Sequence, residues 1–497
     1  MKRSKKIEII SLLIAVIVLA TFPNTAFANS ALRVIEGRNS SGAIVKVSNS
    51  AINVEKEILT FDIQDFPQTY YASEEEFSQY SSKVSAEYHF YNNSEATVYA
   101  TLLFPFGKEP SFYINSVEDY FIDNLDNYDV LINGEKIEKT LRHTYLPHYN
   151  QFNLKRDLPR VVDDYKEDSF FKFDLKITKY SISTSEISTK DGKELKEPKA
   201  ACLAFDWESA KNKNRKIWMP SLNSMSWQDG EIVRMGTWIG HLGDSIEIYV
   251  FGEPFESMPK FTFYKNGGLE DGTELKGETF VKYVEELTFE DFIFQHYNES
   301  KGVSKVDWYN ACLDAIYENK YSDSVLELSC LNELFYMDLM RWYEYDIKIE
   351  PKGRIINTVV APMYPLIDMS WEPPIYQYTY LLTPASTFGS FKNLEVYINT
   401  PYYLYGSIFD LDNFEKTEKG YRILMDELPD QDLYFTLCSV ENPARVKNPF
   451  GWGDLVGIVI SVFVIAGIVS ILGGVGLAIY YFVRIKKQKQ QNEKQED

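Results

Sequence analysis

The sequence is poor in the residues that build metal and redox chemistry. It carries four cysteines in 497 residues (Cys202, Cys312, Cys330 and Cys438) and five histidines. No two cysteines form a CxxC pair and the histidines are scattered, so the spacing of a zinc site is absent. GxSxG, HExxH, the P-loop and GxGxxG in a strand–helix context are missing too, which removes the motif-bearing grounds for a hydrolase, zinc peptidase or nucleotide-binding reading. No cofactor is expected. Basic residues are also scarce, 51 against 72 acids, for a net charge of −21. Setting aside 4 basic and 1 acidic residues in the first 28 positions, and 5 basic and 3 acidic in the last 14, leaves 42 and 68, a net charge of −26. Phosphate contacts need clustered Lys and Arg, so the charge disfavours nucleic acid and anionic membrane surfaces as partners of this middle region. There is no internal repeat and no sortase-like wall-anchoring motif.

What is present begins at the two ends. Lys2, Arg3, Lys5 and Lys6 precede an apolar run from Ile9 to Phe22 that is too short to span a bilayer. Ala26-Phe27-Ala28 then supplies the small residues of a cleavage site, which predicts a signal peptide over 1–28 and a mature start at Asn29. Leu455 to Val483 contains no ionisable residue and exceeds the roughly 20 residues that a helix needs to cross hydrocarbon. Trp452, Tyr480 and Tyr481 stand at its margins, and Arg484, Lys486, Lys487 and Lys489 follow at once, the positive-inside pattern. The expectation is a single-pass membrane protein with its N-terminus outside and a basic tail, 484–497, inside. Within the span, Ala466, Ser470, Gly474 and Ala478 recur every four residues, a small-residue stripe of the kind that lets membrane helices pack closely into a homo-oligomer.

Residues 29–285 read as an N-terminal β-rich domain. Ile52, Val54, Ile58, Phe61 and Ile63 open it, and Val84 to Phe90 has strand composition. A turn at Asn92-Asn93-Ser94-Glu95 leads to a return strand, Thr97 to Phe104, ending at Pro105-Phe106-Gly107. Asn133-Gly134 predicts a type I′ hairpin between Val130 and Ile137. Turn signals at Asn266-Gly267-Gly268 and Asp271-Gly272 interrupt Phe261 to Phe280, while Lys179 to Lys199, rich in Ser, Thr and charge, reads as an exposed loop. Residues 286–345 read as a helical hairpin, because Ser304-Lys305-Val306-Asp307 and Ser324-Val325-Leu326-Glu327 both match a capping box. The first helix should run to about Asn319 and the second to about Tyr345. Strands return over 346–442, the expected C-terminal β-domain, and 443–454 reads as a stiff linker. The fold class expected is mainly β: two sandwich-like domains with an inserted helical hairpin.

Tyr88-His89-Phe90-Tyr91-Asn92-Asn93-Ser94 through Leu103-Phe104-Pro105-Phe106-Gly107 resembles the opening of bacterial extracellular domains of unknown function, and is similar to vault and inter-alpha-trypsin-type β-domains. With Val303 to Ala311, Ile355 to Pro365, Tyr378 to Ala385 and Asn399 to Tyr403, nearly the whole middle region resembles clostridial-type membrane-anchored proteins. The resemblance implies a surface location and a β-sandwich architecture. It implies no activity.

Few residues present themselves as a site. Asp123, Asp126 and Asp129 recur every third position, and Asp163-Asp164 and Asp410-Leu411-Asp412 are close pairs. Leu125 and Tyr128 break the alternation that a calcium loop requires, so solvated loop acids are the plainer reading. Tyr376, Tyr378 and Tyr380 alternate and so share one strand face, a candidate binding face for a sugar or protein, against the alternative of ordinary core packing. Cys312 and Cys330 fall at similar heights on the two expected helices, a candidate disulfide in an exported chain. Together these features point to a membrane-anchored extracellular module that binds an extracellular protein or glycan without catalysis. The alternatives are a hydrolase of cell-wall polymers or glycans, and a sensor subunit signalling through a partner membrane protein. Protease added to intact, wall-stripped cells should remove the ectodomain and leave a fragment spanning 455–497. Protection of the Glu208–Ser300 region would reverse the topology.

Overall fold

The computed structural model describes residues 34–35, 40–41, 43–46, 49–67, 82–107, 128–146, 152–184, 187–193, 201–228, 232–239, 245–332 and 334–446. The expected signal peptide, the membrane span with Ala466, Ser470, Gly474 and Ala478, and the basic tail lie outside them. Among the described residues no helix is long and apolar enough to cross a membrane. The chain is mainly β and divides into two units. In the smaller, Val34 and Ile35 pair with Asp368 and Ile367, and Trp371 and Glu372 pair with Arg445 and Ala444. The Arg445 guanidinium stands 5.1 Å from the centre of the Trp371 ring.

The larger unit opens with the two-residue strand Ser40–Ser41, followed by seven strands: β1 (Ile44–Val45), β2 (Asn49–Asp62), β3 (Lys83–Asn92), β4 (Val98–Gly107), β5 (Asp129–Ile132), β6 (Glu135–Lys136) and β7 (Thr140–Tyr145). In β3 every second residue, from Val84 to Asn92, is buried, the pattern of a sheet with one covered face. The β5–β6 turn is the expected hairpin, with positive φ at Asn133 and Gly134. The expected β3–β4 hairpin is not formed. Asn92 is fully buried and its Nδ2 donates to the carbonyls of Ala96 (2.7 Å), Ile349 (3.1 Å) and Glu350 (3.0 Å). That anchor turns the connection into an arch, and β4 joins a different sheet.

Nine strands follow: β8 (Lys176–Thr184), β9 (Ala201–Glu208), β10 (Arg215–Trp218), β11 (Ser224–Gln228), β12 (Ile232–Ile239), β13 (Ser245–Gly252), β14 (Thr262–Tyr264), β15 (Glu274–Leu275) and β16 (Thr279–Thr288). They make two sheets, ordered β10-β13-β8-β16 and β11-β12-β9-β14-β15. Tyr180, Ile182, Leu203, Phe205, Trp207, Val233 and Ile248 pack between them. The loop expected from Lys179 begins later than that, because Tyr180 and Ile182 alternate with serines and take β8 into this core.

The last nine are β17 (Leu339–Ile349), β18 (Arg354–Pro362), β19 (Ile375–Leu381), β20 (Phe388–Phe391), β21 (Leu394–Asn399), β22 (Tyr403–Ser407), β23 (Glu415–Thr417), β24 (Gly420–Met425) and β25 (Leu433–Cys438). They do not fold apart from the first seven, as the expected domain boundaries at 285 and 346 required. The nine-stranded sheet runs β23-β24-β21-β2-β3-β18-β5-β6, with β20 beside β2. Strands β1-β4-β17-β7 and β19-β25-β22 cover it, and one apolar core fills the space between. Residues 146–338 are therefore an insertion, carrying its own sheet pair.

Among its described residues the insertion has three α-helices: α1 (Leu154–Asp157), α2 (Phe289–Phe294) and α3 (Lys305–Glu318). Ser304 caps α3 as expected, its Oγ accepting from Asp307 N at 3.0 Å. The second helix of the expected hairpin is absent. Ser324 Oγ is taken by Trp207 Nε1 (3.0 Å) and faces Ser209 Oγ (2.7 Å), while Val325 bridges to Ile217 in β10. Those contacts hold the backbone extended where a helix would start. Beyond it, Tyr343, Tyr345, Ile347 and Ile349 alternate at period two and form β17.

Besides the Ser304 hydroxyl, the Asp307 carboxylate has partners outside its helix. It accepts from His143 N (2.9 Å) and Arg142 Nη2 (3.1 Å), while Arg142 Nη1 reaches Asp163 and Glu344, each at 2.8 Å. Lys46 meets the same two acids at 2.8 Å. The network ties α3 to β7 and β17, and Arg142 and Asp307 are both buried. Removing one partner of such a pair strands the other charge. Arg142→Ala is expected to destabilise the full-length protein in detergent by about 3–5 kcal/mol, measured by denaturant unfolding. A loss below about 1 kcal/mol, as for an exposed pair, would show that the network does not anchor the helix.

Candidate functional site

The structure scatters the residues that the sequence marked. Tyr378 and Tyr380 are buried in the main core, so the expected tyrosine binding face is a packing face. Tyr376 is half-buried and stacks on Phe66 (centroids 3.8 Å apart, 5° between planes), which stacks in turn on Tyr402 at 3.9 Å. The acids are engaged locally: Asp129 with Lys136 at 2.7 Å, Asp163 with Lys46 and Arg142, and Asp410 with the Asp412 N–H at 3.1 Å. Asp123 and Asp126 lie outside the described residues. Among the described residues no group of three or more His, Cys, Asp or Glu side chains is placed to hold a metal ion. Cys312 on α3 and Cys330 are free thiols of one core cluster, but Cys330 sits in a loop, so the two-helix geometry that suggested their disulfide is not present. Burial pushes the Cys330 thiol up to about 12.

Two perturbed groups sit deep in the protein. Burial, with Arg341 and Arg142 nearby, pushes His143 down to about 3, so its imidazole is neutral. Glu57 lies in β2 at a core-facing position, in step with Leu59, Phe61 and Ile63, and is fully buried. Burial pushes its carboxyl up to about 8, partly offset by the hydroxyls of Tyr88 and Tyr380. An acid at the apolar phase of a strand was visible in the sequence as an exception to the alternation. Neither group is open to solvent, so neither is placed to meet a substrate from outside.

The exposed chemistry lies on the insertion. Among the described residues, strand β16 is the last of its sheet and pairs with β8 alone. Phe280, Val281, Tyr283 and Val284 are each between 40% and 55% exposed, four large apolar side chains in one run of five residues. The cause is a mismatch of lengths. The chain passes from β15 to β16 through residues 276–278, yet β14 and β15 offer only three and two residues where β16 has ten. The longer strand overhangs its facing sheet on the side of Val281 and Val284, which pair with Ile182 and Tyr180 of the core, while Phe280 and Tyr283 pair with Ser183 and Ser181 and point the other way. Its free backbone edge is guarded: Lys282 is the extra residue of a bulge between Val281 and Tyr283, and Glu285 and Glu286 follow. Bulges and charges of this kind discourage edge-to-edge pairing, so the side chains rather than the backbone are on offer.

An open groove of about 550 Å³ adjoins the start of this strand, with Phe261, Phe263 and Leu275 in its floor and Lys260, Lys276 and Glu278 around it. Gly277 permits the floor: a Cβ there would stand 2.8 Å from the Phe263 ring. At the opposite edge of the five-stranded sheet, strand β11 and its neighbour β12 expose Met225, Trp227 and Trp238. The sequence showed these aromatics but not their exposure, because a strand apolar on both faces reads equally as a buried one.

No family model and no curated protein matches the chain. A solved structure described as a "putative nutrient binding protein" of Legionella pneumophila is similar at a TM-score of 0.26 and 10% identity, over 81% of this chain and 72% of that one. A likeness of that size carries no argument about fold or function.

The Glu57 carboxyl gives a prediction whose sign follows from linkage. In the unfolded chain the group ionises near 4.5, whereas the folded protein keeps its proton to about 8. Stability should therefore fall as pH rises between those values, by up to about 1.4 kcal/mol per unit, and level off above. Glu57→Gln should match the wild type near pH 4.5 and become progressively more stable than it up to pH 8, in thermal unfolding of the full-length protein. A difference that does not change with pH would mean that Glu57 is ionised in the fold.

Proposed function

We propose that this protein is a non-enzymatic binding module of the cell surface, anchored by its C-terminal helix, that recognises an extracellular partner through the exposed apolar run of β16. The observation that carries the reading is the run Phe280, Val281, Tyr283 and Val284. Contiguous exposed apolar side chains are costly to leave in water and mark interaction surfaces. The adjacent groove supplies a recess for an anchoring side chain, and aromatic anchors in recesses dominate binding energy. The charge of the middle region supports an uncharged or basic partner over nucleic acid.

The finer parts of the proposal rest on sequence. The apolar segments at 9–22 and 455–483 support export and a single-pass, N-out topology, and the resemblance to clostridial-type membrane-anchored proteins agrees with it. The stripe Ala466, Ser470, Gly474 and Ala478 supports homo-oligomer formation in the membrane. In architecture we read two sandwich-like bodies, the second inserted in the first. An extracellular protein or glycan is the partner class.

Replacing Phe280 and Val284 with Ser should leave unfolding within about 0.5 kcal/mol of wild type, because both side chains are exposed. Cross-linking on intact cells should recover surface partners with wild type and about tenfold less with the double variant, the loss of a modest hot spot. Equal recovery would place recognition elsewhere.

A further inference from the structure

Glu57, Tyr88 and Asn357 are direct cross-strand partners on β2, β3 and β18, in one row across the nine-stranded sheet. All three are buried, and Tyr380 of β19 and Tyr345 of β17, also buried, approach the cluster from the covering sheets. Tyr380 Oη donates to Glu57 Oε1 at 3.3 Å, and the Tyr88 and Tyr380 hydroxyls lie 3.4 Å apart. That chain uses up one carboxyl oxygen and two hydroxyls. Glu57 Oε2, Tyr345 Oη and both amide atoms of Asn357 make no well-formed hydrogen bond in the protein, although the Tyr345 hydroxyl and the Asn357 amide lie side by side. Neighbouring strands are about 4.8 Å apart, so Glu57 and Asn357 stand roughly 10 Å from each other with Tyr88 between them. The unmet groups therefore occur on both flanks of the Tyr88 ring.

Leaving a buried polar group unpaired costs about 1–3 kcal/mol, and native interiors almost never do so. We infer that this row is a built site for internal water, at least one molecule bridging Asn357 and Tyr345 and another meeting Glu57 Oε2. The donor and acceptor inventory selects the ligand class. Asn357 Nδ2 and Tyr345 Oη bring protons, whereas Asn357 Oδ1 accepts. A cation would satisfy the acceptors and leave the amide protons stranded. An anion would satisfy the donors and bury a charge with no counter-ion in the row. A small neutral molecule that both donates and accepts fits all of them, and buried water commonly makes about three such bonds. The apolar walls, Phe61 against Tyr380 among them, close the site to solvent, so exchange requires the sheets to part.

The test is a crystal structure of the full-length protein in detergent at about 1.8 Å or better, with a second crystal soaked in bromide. Expected is ordered density within hydrogen-bond distance of Asn357 and Tyr345, a second peak at Glu57 Oε2, and no anomalous signal at either. Magnetic relaxation dispersion in solution should count at least one fewer long-lived water in Asn357→Leu than in wild type. Should that variant fail to fold, Tyr345→Phe, which keeps the ring, is read in the same way. Side chains that satisfy one another with no density between them, a bromide peak, a cation's short contacts, or an unchanged water count in a folded variant would each overturn the inference.

Discussion

The fold depends on two strands that arrive late. β17 lies between β4 and β7, and β18 lies between β3 and β5, so residues 339–362 complete sheets begun more than 200 positions earlier. Closing so long a loop costs little more than closing one of half the length, because the entropy grows only with the logarithm. The return instead fixes geometry. Tyr145 ends β7 and Leu339 begins β17, and these two residues are direct partners. The insertion therefore leaves and re-enters the first sheet pair at one point, the condition under which an inserted body disturbs its host least. The Arg142–Asp307 pair then sets α3 against β7, so the insertion is also held from the side.

This arrangement explains which parts of the sequence were legible. Strand positions such as 84–90 and 355–361 were visible because their side chains alternate, and the Asn133-Gly134 turn because only certain residues tolerate its backbone. Partner choice was not visible. β3 and β4 are joined by a turn that looks like a hairpin, and only Asn92, reaching the carbonyls of Ile349 and Glu350, shows that the chain changes sheets. Likewise Ser324 has the sequence of a helix cap, but its hydroxyl is claimed by Trp207 from a strand more than a hundred residues away. Each miss is a local signal overridden by a contact distant in sequence.

The candidate site was legible only in part, for a related reason. The tyrosines at 376, 378 and 380 drew notice through their alternation, yet alternation states that residues share a face and not which face is wet. The covering sheet decided that, burying Tyr378 and Tyr380 against Phe435 and Phe61. At β16 the logic reverses. Val281 and Val284, paired with Ile182 and Tyr180 of the core, are exposed because the strands opposite are too short to cover them, a fact about β14 and β15 rather than about β16 itself. A bulge and two glutamates then keep the edge from pairing indiscriminately, which separates a selective surface from an aggregating one.

The polar row in the main core bears on register. Side chains repeat at period two, so sliding β2 along β3 by two residues keeps its apolar face inward and would cost little in a uniformly apolar core. With Glu57 in the row that freedom is lost. A slip in either direction sets its carboxyl opposite Ala86 or Phe90 instead of Tyr88, away from the hydroxyls that meet it. Asn357 imposes the same condition on β18, since its partner across β3 is also Tyr88. Glu57 thus lowers stability as pH rises toward its shifted pKa, but raises the energy of the slipped pairings at every pH, because even the neutral acid needs partners for its donor and acceptor. The nine-stranded sheet trades some stability for a single alignment.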